Sequence, residues 1–213
     1  MNKVLENNQV VISGEVVSKF NFSHEHFGEK YYLVYVDVPR TSGFVDRLPV
    51  MVSEYLTNVE EDLRGCKVSV YGQYRSYNKH EREKSHLLLS VFALEMEVVD
   101  EAFTGSNGNN VYLEGTICKD PIYRITPNGR EITDLLLAVN RPYGKSDYIP
   151  CICWGGTARF ASDLLIGDKC IVKGRLQSRV YTKKHEDGSI EEKVAYEVSA
   201  NYVKRGKLDE TDV

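Results

Sequence analysis

The sequence has no surplus of positive charge and no long hydrophobic run. Its 213 residues include 27 Lys and Arg against 31 Asp and Glu, which gives a formal charge of −4. The chain is therefore not a uniformly basic protein, which is the simplest kind of nucleic-acid binder. The longest aliphatic stretch, Leu135–Val139, is too short to cross a bilayer, and Met1–Glu15 has no apolar segment of the kind a signal peptide needs. We expect no membrane association and no export.

Cysteines are few and irregularly spaced. Their number, five, is odd, which argues against a disulfide framework and favours a reducing, cytoplasmic location. Cys151 and Cys153 have the spacing of a strand but no second pair or neighbouring histidine, so packed thiols explain them better than zinc. His24 and His26 lie in a polar stretch that we interpret as a loop. We expect no metal and no cofactor.

Motifs of catalysis are also missing. The sequence contains no nucleophile elbow, no phosphate-binding loop and no pair of acidic residues at a plausible site. Only scattered acidic residues favour a nuclease or another hydrolase, so we expect no enzymatic activity. The composition, with 42% hydrophobic and 27% charged residues, is that of an ordinary globular protein.

The chain repeats itself at an offset of 101 to 102 residues. Asp46–Pro49 reappears as Asp147–Pro150, and the segment before Gly14 resembles the one before Gly115. The other matching pairs are Gly65 and Gly167, Gly72 and Gly174, and Ser76 and Ser178. Landmarks at a nearly constant spacing predict two copies of one structural unit.

The repeat divides the chain into four parts. Residues 1–103 are the first unit, 104–109 a small polar linker, 110–205 the second unit and 206–213 a short acidic tail. The first 104 residues carry 11 cations and 16 acidic residues, whereas residues 105–213 carry 16 and 15. The net charge of −4 is therefore the sum of an acidic first part and a nearly neutral second part.

Hydrophobic patterning indicates that each unit is mostly β-structure. In the second unit, strands are predicted over Val111–Ile117, Ile132–Asn140, Tyr148–Trp154, Cys170–Tyr181 and Val194–Val203, with a hairpin tip at Lys183–Glu192. Apolar residues at helical spacing predict a helix over Thr157–Leu165. The order β-β-β-α-β-β matches a five-stranded OB-type barrel. The predicted fold is all-β, with two tandem five-stranded OB-fold barrels, each with a short helix between strands 3 and 4.

Alternation along two strands of the second unit gathers aromatic and cationic residues on one face. On the third strand, Tyr148 and Trp154 share a face. On the fourth strand the even positions, from Cys170 to Val180, are small or apolar and are predicted to point inward. The odd positions of that strand include Lys173, Arg175, Arg179 and Tyr181.

An exposed face of this kind suits single-stranded nucleic acid. Bases stack on aromatic rings, while cations neutralise the phosphates. The alternative interpretation is that Tyr148 and Trp154 are core residues and that the cations form a solvated face, because large aromatic side chains are usually buried.

Several motifs of the second unit occur together in one known family. They are Val111–Gly115, Lys119–Pro121 followed by Arg124 and Thr126, Leu137–Arg141, Trp154–Gly155 and Gly174–Arg179. Through them Asn110–Val203 resembles the bacterial single-stranded DNA-binding protein family. The resemblance implies an OB-fold and sequence-independent binding of single-stranded DNA in replication, repair or recombination.

The resemblance also implies roles for individual residues. The base-stacking aromatic positions of the family fall on Tyr148, Trp154 and Tyr181, and its cationic positions fall on Arg141 and Arg179. Together with the cations of the predicted face and its hairpin, the predicted DNA-binding residues are Tyr148, Trp154, Tyr181, Arg124, Arg141, Lys173, Arg175, Arg179, Lys183 and Lys184.

The first unit departs from the family pattern. At the three stacking positions it has Arg47, Ser53 and Lys79. We predict that this unit serves mainly assembly, with a weak secondary DNA-binding site at Tyr71, Arg75 and Tyr77.

The resemblance implies partners as well as a ligand. Family members commonly assemble four barrels, which implies a homodimer of this two-barrel chain, replication or repair proteins as partners, and a bacterial, nucleoid-associated location. The tail at residues 206–213 has no aromatic tip, unlike the tails of the family. An alternative function is an OB-fold assembly module, such as a primosomal restart or mobile-element accessory factor, acting mainly through protein partners. The acidic first unit favours that alternative.

Overall fold

A computed structural model describes residues 6–81, 84–103, 108–184 and 188–206, with side chains described outside residues 78–86. The chain forms two barrels of similar construction. In the part of the chain that the structure describes, no helix is long and apolar enough to cross a membrane.

The first barrel is built from residues 8–99. Its strands are β1 (Asn8–Val16), β2 (Asn21–His26), β3 (Glu29–Pro39), β4 (Val45–Ser53), β5 (Lys67–Glu81) and β6 (Lys84–Val99). They pair in the order β2-β3-β4-β6-β5-β1, and β1 also pairs with β3, which closes the barrel. Only the pair of β4 and β6 is parallel among the strands described in this barrel.

The second barrel repeats this arrangement. Its elements are β7 (Asn109–Ile117), β8 (Ile122–Ile125), β9 (Glu131–Asn140), β10 (Ser146–Trp154), α1 (Gly155–Ser162), β11 (Lys169–Lys184) and β12 (Ile190–Arg205), with a 3₁₀ turn at Pro142–Gly144. Here β7 pairs with both β9 and β11, and β10 is parallel to β12. Five closed strands in this order form an OB-fold barrel, so the predicted fold class is confirmed.

The two barrels are joined through their first strands into one twelve-stranded sheet. Strands β1 and β7 are antiparallel, with Val10 opposite its repeat equivalent Val111. Two backbone hydrogen bonds flank this pair at equivalent positions, from Ser13 N to Gly108 O at 2.8 Å and from Glu114 N to Asn7 O at 2.7 Å. A local two-fold relation therefore holds between the barrels, and one hydrophobic core runs through both.

A buried asparagine holds the start of each barrel to its longest hairpin. Asn8 donates to Tyr74 O and accepts from Tyr74 N, both at 2.8 Å. Asn109 makes the same two bonds with Leu176, at 2.9 and 2.8 Å. Since a carboxamide offers one donor side and one acceptor side, it satisfies both backbone groups of a strand residue. This is why an asparagine recurs at the start of both units.

The repeated glycines mark places where strands approach closely. A Cβ on Gly72 would lie less than 3.0 Å from the carbonyl oxygen of Phe92, and one on Gly174 equally close to that of Ser199. Register shifts in both hairpins occur at these glycines. Only a residue without a side chain fits at such a bulge.

The helix predicted in each barrel is present in the second barrel, but the described segment 54–66 of the first barrel contains turns instead. Asn58 and Asp62 explain the difference, because their carboxyl or amide oxygens accept from the backbone N–H groups of Glu60 and Arg64, two residues on. Such local bonds compete with helix formation. In the second barrel, α1 begins at Gly155 and ends at Ser162, earlier than the predicted Thr157–Leu165.

The hairpins extend further than their sequences indicate. Val180, predicted to point inward, is exposed because β11 and β12 continue beyond the barrel to Lys184 and Ile190. The strand β8 was not predicted, since all its residues are exposed and no face alternates. The stretch with His24 and His26 is strand β2 and not a loop, for the same reason. The predicted linker lies mostly outside the described residues, so the domain boundary stays a prediction.

Candidate nucleic-acid interface

The central strand of the site is β10, which places its aromatic residues outward as alternation predicts. Tyr148 is 42% exposed and Trp154 is 37% exposed, whereas Ile149, Cys151 and Cys153 between them are buried. The core interpretation of these two rings is therefore wrong. Trp154 Nε1 donates to Ser199 Oγ on β12 at 3.2 Å, which fixes the indole over the neighbouring strand.

Burial also decides the chemistry of the two cysteines on β10. Desolvation raises the pKa of Cys153 to about 12 and that of Cys151 well above its usual value. A protonated thiol is a poor metal ligand and a poor nucleophile. Among the described residues, no group of three or more His, Cys, Asp or Glu is placed to hold a metal ion.

Trp154 lies in a groove that runs along the boundary between the barrels, which we call the seam groove. It consists of two adjoining cavities of about 800 and 560 Å³, which share Trp154, Arg40, Arg175 and Ser199. One wall is the face of the second barrel. The other is formed by the loop between β3 and β4 of the first barrel, including Pro39 to Ser42 and Phe44.

The cations of β11 follow the seam groove. Lys173 Nζ lies 5.4 Å from the ring centre of Tyr112 and 5.7 Å from that of Tyr202, and it lines the larger cavity. Arg179 lines the smaller one, with its guanidinium carbon 5.8 Å from the ring centre of Tyr181. Its Nε is 3.5 Å from Glu197, a long contact in which the arginine side chain stays half-exposed. Both cations therefore remain able to meet a ligand.

Other predicted residues lie on the projecting hairpins. Tyr181 is 38% exposed on the extension of β11, and Lys183 and Lys184 are exposed further along it. Arg124, on β8, donates to Asp134 through Nε at 2.9 Å, and both side chains are exposed. A surface ion pair of this kind is weak and exchanges readily for a phosphate.

Arg175 is not simply a surface cation, because it meets a buried carboxylate of the first barrel. Asp46 accepts from Arg40 Nε at 2.6 Å and from the backbone N–H of Ser178 at 2.7 Å, and Arg175 NH1 is 3.4 Å away. Desolvation lowers the pKa of Arg175, and the Arg40 cation adds to the effect. Two arginines thus share one aspartate, which leaves an excess of positive charge beside Trp154.

The two-fold relation produces an equivalent cluster on the other side of the seam. Arg141, a predicted DNA contact, forms an ion pair with buried Asp147 and donates to Ser76 O at 3.0 Å. Asp147 also accepts from Ser76 N at 2.5 Å. The structure therefore gives Arg141 a role in joining the barrels, and a contact with DNA stays a prediction for this residue.

The predicted secondary site on the first barrel is only partly assembled. Tyr77 is exposed, while Tyr71 and Arg75 are half-buried. Arg75 lies flat on Phe92, with its guanidinium carbon 3.6 Å from the ring centre. The side chain of Lys79 lies outside the described residues.

Sequence reasoning missed the contribution of the first barrel to the seam groove. Arg40 and Phe44 line it, and Phe44 is 70% exposed. Arg130, on the loop between β8 and β9, also lines it. The available signal was an aromatic residue, Phe44, and a cation, Arg40, near the repeated motif that begins at Asp46. Nothing in the sequence relates that loop to Trp154.

The sequence of the second barrel is similar to that of a known family. The single-strand binding protein family matches residues 108–206. The second half of the chain is therefore similar to this family. The match includes Tyr148, Trp154, Tyr181 and the cations of β11.

Curated single-stranded DNA-binding proteins are similar to about a third of the chain. The single-stranded DNA-binding protein of Halalkalibacterium halodurans is 39% identical over 80 residues, which cover 34% of this chain and 48% of the relative. Single-stranded DNA-binding protein A of Bacillus subtilis is also 39% identical over 80 residues, covering 34% and 46%. The chain spans about half the length of the curated relatives it matches.

Solved structures extend the likeness to the whole chain. The wild-type single-stranded DNA binding protein from Thermus aquaticus has a TM-score of 0.68 and 22% identity, covering 97% of this chain and 96% of that one. A deletion mutant of the same protein has a TM-score of 0.70 and 21% identity, covering 100% and 99%. At this identity the likeness concerns the fold, and it includes both barrels.

Proposed function

We propose that this protein binds single-stranded DNA without sequence specificity, through the seam groove and the face of the second barrel, and that it has no enzymatic activity. The observation that carries the proposal is the position of Trp154, half-exposed in a groove lined by cations from both barrels. The second-half family match and the names of its relatives support it.

The rings supply the sequence-tolerant part of the binding energy. Every base has a π-face, so each base that stacks on an aromatic ring contributes about 1–3 kcal/mol whatever its identity. Tyr148 and Trp154 are exposed on the same side of β10, and Tyr181 is exposed on β11. The strand therefore follows these three rings, with its bases toward the sheet.

The cations neutralise the phosphates. Lys173, Arg175 and Arg179 on β11 line the seam groove together with Trp154. Lys183 and Lys184 continue the positive surface along the hairpin. The net acidity of the whole chain does not oppose this binding, because phosphates respond to the local potential in the groove and distant charges are screened.

The dependence of affinity on salt tests this electrostatic part. Each neutralised phosphate of a single strand contributes about −0.7 to the slope of log K against log salt. With four to five cations engaged, we expect a slope of roughly −3 for oligo-dT, measured by fluorescence anisotropy. Lys173→Gln should reduce that slope by about 0.7, whereas Lys119→Gln, on the loop after β7, should leave it unchanged. Affinity that is independent of salt would contradict the proposal.

We also propose an oligomeric state, partners and a cellular location. The count of barrels supports a homodimer with four of them, which light scattering measures directly. A role in replication, repair or recombination, contact with proteins of those processes, and a cytoplasmic, nucleoid-associated location all rest on the family match alone.

A further inference from the structure

The first barrel carries an aromatic ring where the second barrel carries Trp154, although no ring occurs at the equivalent sequence position. The residue equivalent to Trp154 on β4 is Ser53. On the neighbouring strand the first barrel has a ring, Phe92 of β6, where the second barrel has a serine, Ser199 of β12. Phe92 pairs with Met51 on β4, and Ser199 pairs with the equivalent Ile152 on β10. At these two positions the second barrel has tryptophan and serine, whereas the first barrel has serine and phenylalanine. Each barrel therefore has one ring over the same part of its sheet.

Phe92 belongs to a row of stacked groups that crosses the first barrel, which we call the aromatic row. It consists of His24, Tyr31, Phe92 and Arg75. The rings of His24 and Tyr31 are parallel within 11° at 5.0 Å, and those of Tyr31 and Phe92 are 5.7 Å apart. Tyr31 pairs with Ser53, whose small side chain lets the rings on β3 and β6 meet across β4.

Around Arg75, the electrostatics of the aromatic row differ from those of the second barrel in favour of an anion, whereas Glu29 lies beside Tyr31. Arg75 stands where the second barrel has Gln177, and the residue opposite it is Ser90, where the second barrel has the buried Glu197. A neutral amide and a carboxylate are thereby replaced by a cation and a hydroxyl.

The burial of Arg75 is offset only in part by a carboxylate, that of Asp147. It donates to Gln73 Oε1 at 2.9 and 3.2 Å, and no described carboxylate forms an ion pair with it. Desolvation, followed by repulsion from Arg141, lowers its pKa to about 10. A phosphate at this place would provide a direct counter-charge to Arg75.

We infer that the aromatic row is a second binding site for single-stranded DNA, in which Tyr31 and Phe92 stack on bases and Arg75 meets a phosphate. This inference rests on the proposed function. The two-fold relation places Arg141 beside the row, as it places Arg40 beside Trp154, so a strand leaving the seam groove finds an equivalent surface on the first barrel.

Cross-linking of the unaltered protein tests the site without a variant. An oligo-dT of about 35 nucleotides is long enough for two OB folds, at up to ~16 nucleotides each. With bromodeoxyuridine in place of thymidine, illumination should produce adducts at Trp154 and also at Tyr31 or Phe92. Adducts confined to residues of the second barrel, together with normal quenching of Trp154 fluorescence, would overturn the inference and leave the proposed function standing. Absence of any binding would instead contradict the proposed function.

Two variants that copy the second barrel provide an independent measurement. Phe92→Ser should weaken binding of the long oligonucleotide about tenfold, the effect of losing one stacked base, and Arg75→Gln should reduce the salt slope by about 0.7. The control is Arg64→Gln, because Arg64 is an exposed cation of the first barrel paired with Asp62. Thermal unfolding verifies that each variant is folded. Unchanged affinity in folded Phe92→Ser and an unchanged slope in Arg75→Gln would overturn the inference.

Discussion

Replacing Trp154 by alanine is expected to weaken the binding of oligo-dT by roughly 5- to 150-fold, which corresponds to about 1–3 kcal/mol for one stacked base. The ring lies in both cavities of the seam groove, so its loss removes the surface on which the strand stacks. The free energy of unfolding should change little, because the indole is half-exposed and outside the core. Anisotropy titration with a labelled oligonucleotide measures the affinity.

The control for this variant is Phe160→Ala. Phe160 is an exposed aromatic of the same barrel, on α1, and it does not line the seam groove. Its loss should leave the affinity unchanged. Equal losses in both variants would show that any exposed ring matters, and they would contradict the assignment of the groove.

Replacing Asp46 by alanine is expected to destabilise the protein by about 2–4 kcal/mol, measured by urea unfolding. The carboxylate is fully buried and accepts from Arg40 and from the backbone N–H of Ser178 in the other barrel. Removal leaves both donors without an acceptor, but part of Arg40 reaches solvent, so the cost falls below that of a fully buried pair. Asp147→Ala should cost a similar amount, since Asp147 has the equivalent partners Arg141 and Ser76.

The matched control is Asp62→Ala. Asp62 also pairs with an arginine, Arg64, but the pair is exposed on a turn of the first barrel. We expect little change in unfolding, because water replaces an exposed ion pair at small cost. If Asp46→Ala unfolded at the same urea concentration as the unaltered protein, the two aspartates would not be holding the barrels together.

Much of the fold follows from the repeat. Gly72 and Gly174 lie at equivalent close approaches of two strands, and Asp46 and Asp147 lie at equivalent places between the barrels. Equivalent positions need the same residue type, so these residues recur at a nearly constant offset. Alternation along β10 predicted the outward Trp154 because one side of that strand is buried. Where both sides of a strand are exposed, as in β2 and β8, the pattern contains no such information.

What sequence reasoning missed depends on contacts between distant segments. The loop carrying Phe44 meets the second barrel because β1 pairs with β7 and Asp46 binds Ser178 on β11. The exchange of Ser199 for Phe92 was hidden for a different reason. Val91 and Val198 are structural equivalents at an offset of 107, because the β11–β12 hairpin is longer, so an alignment at 101 or 102 pairs the wrong residues beyond the hairpin tips.

Trp154 fluorescence during titration with oligo-dT tests the central claim most directly. The sequence has one tryptophan, so any change in emission reports on the seam groove. We expect saturable quenching at low salt that is reversed by adding salt, since a stacked base quenches the indole and salt releases the strand. Emission that stays constant at low salt, in protein shown to be folded, would contradict single-stranded DNA binding at this site.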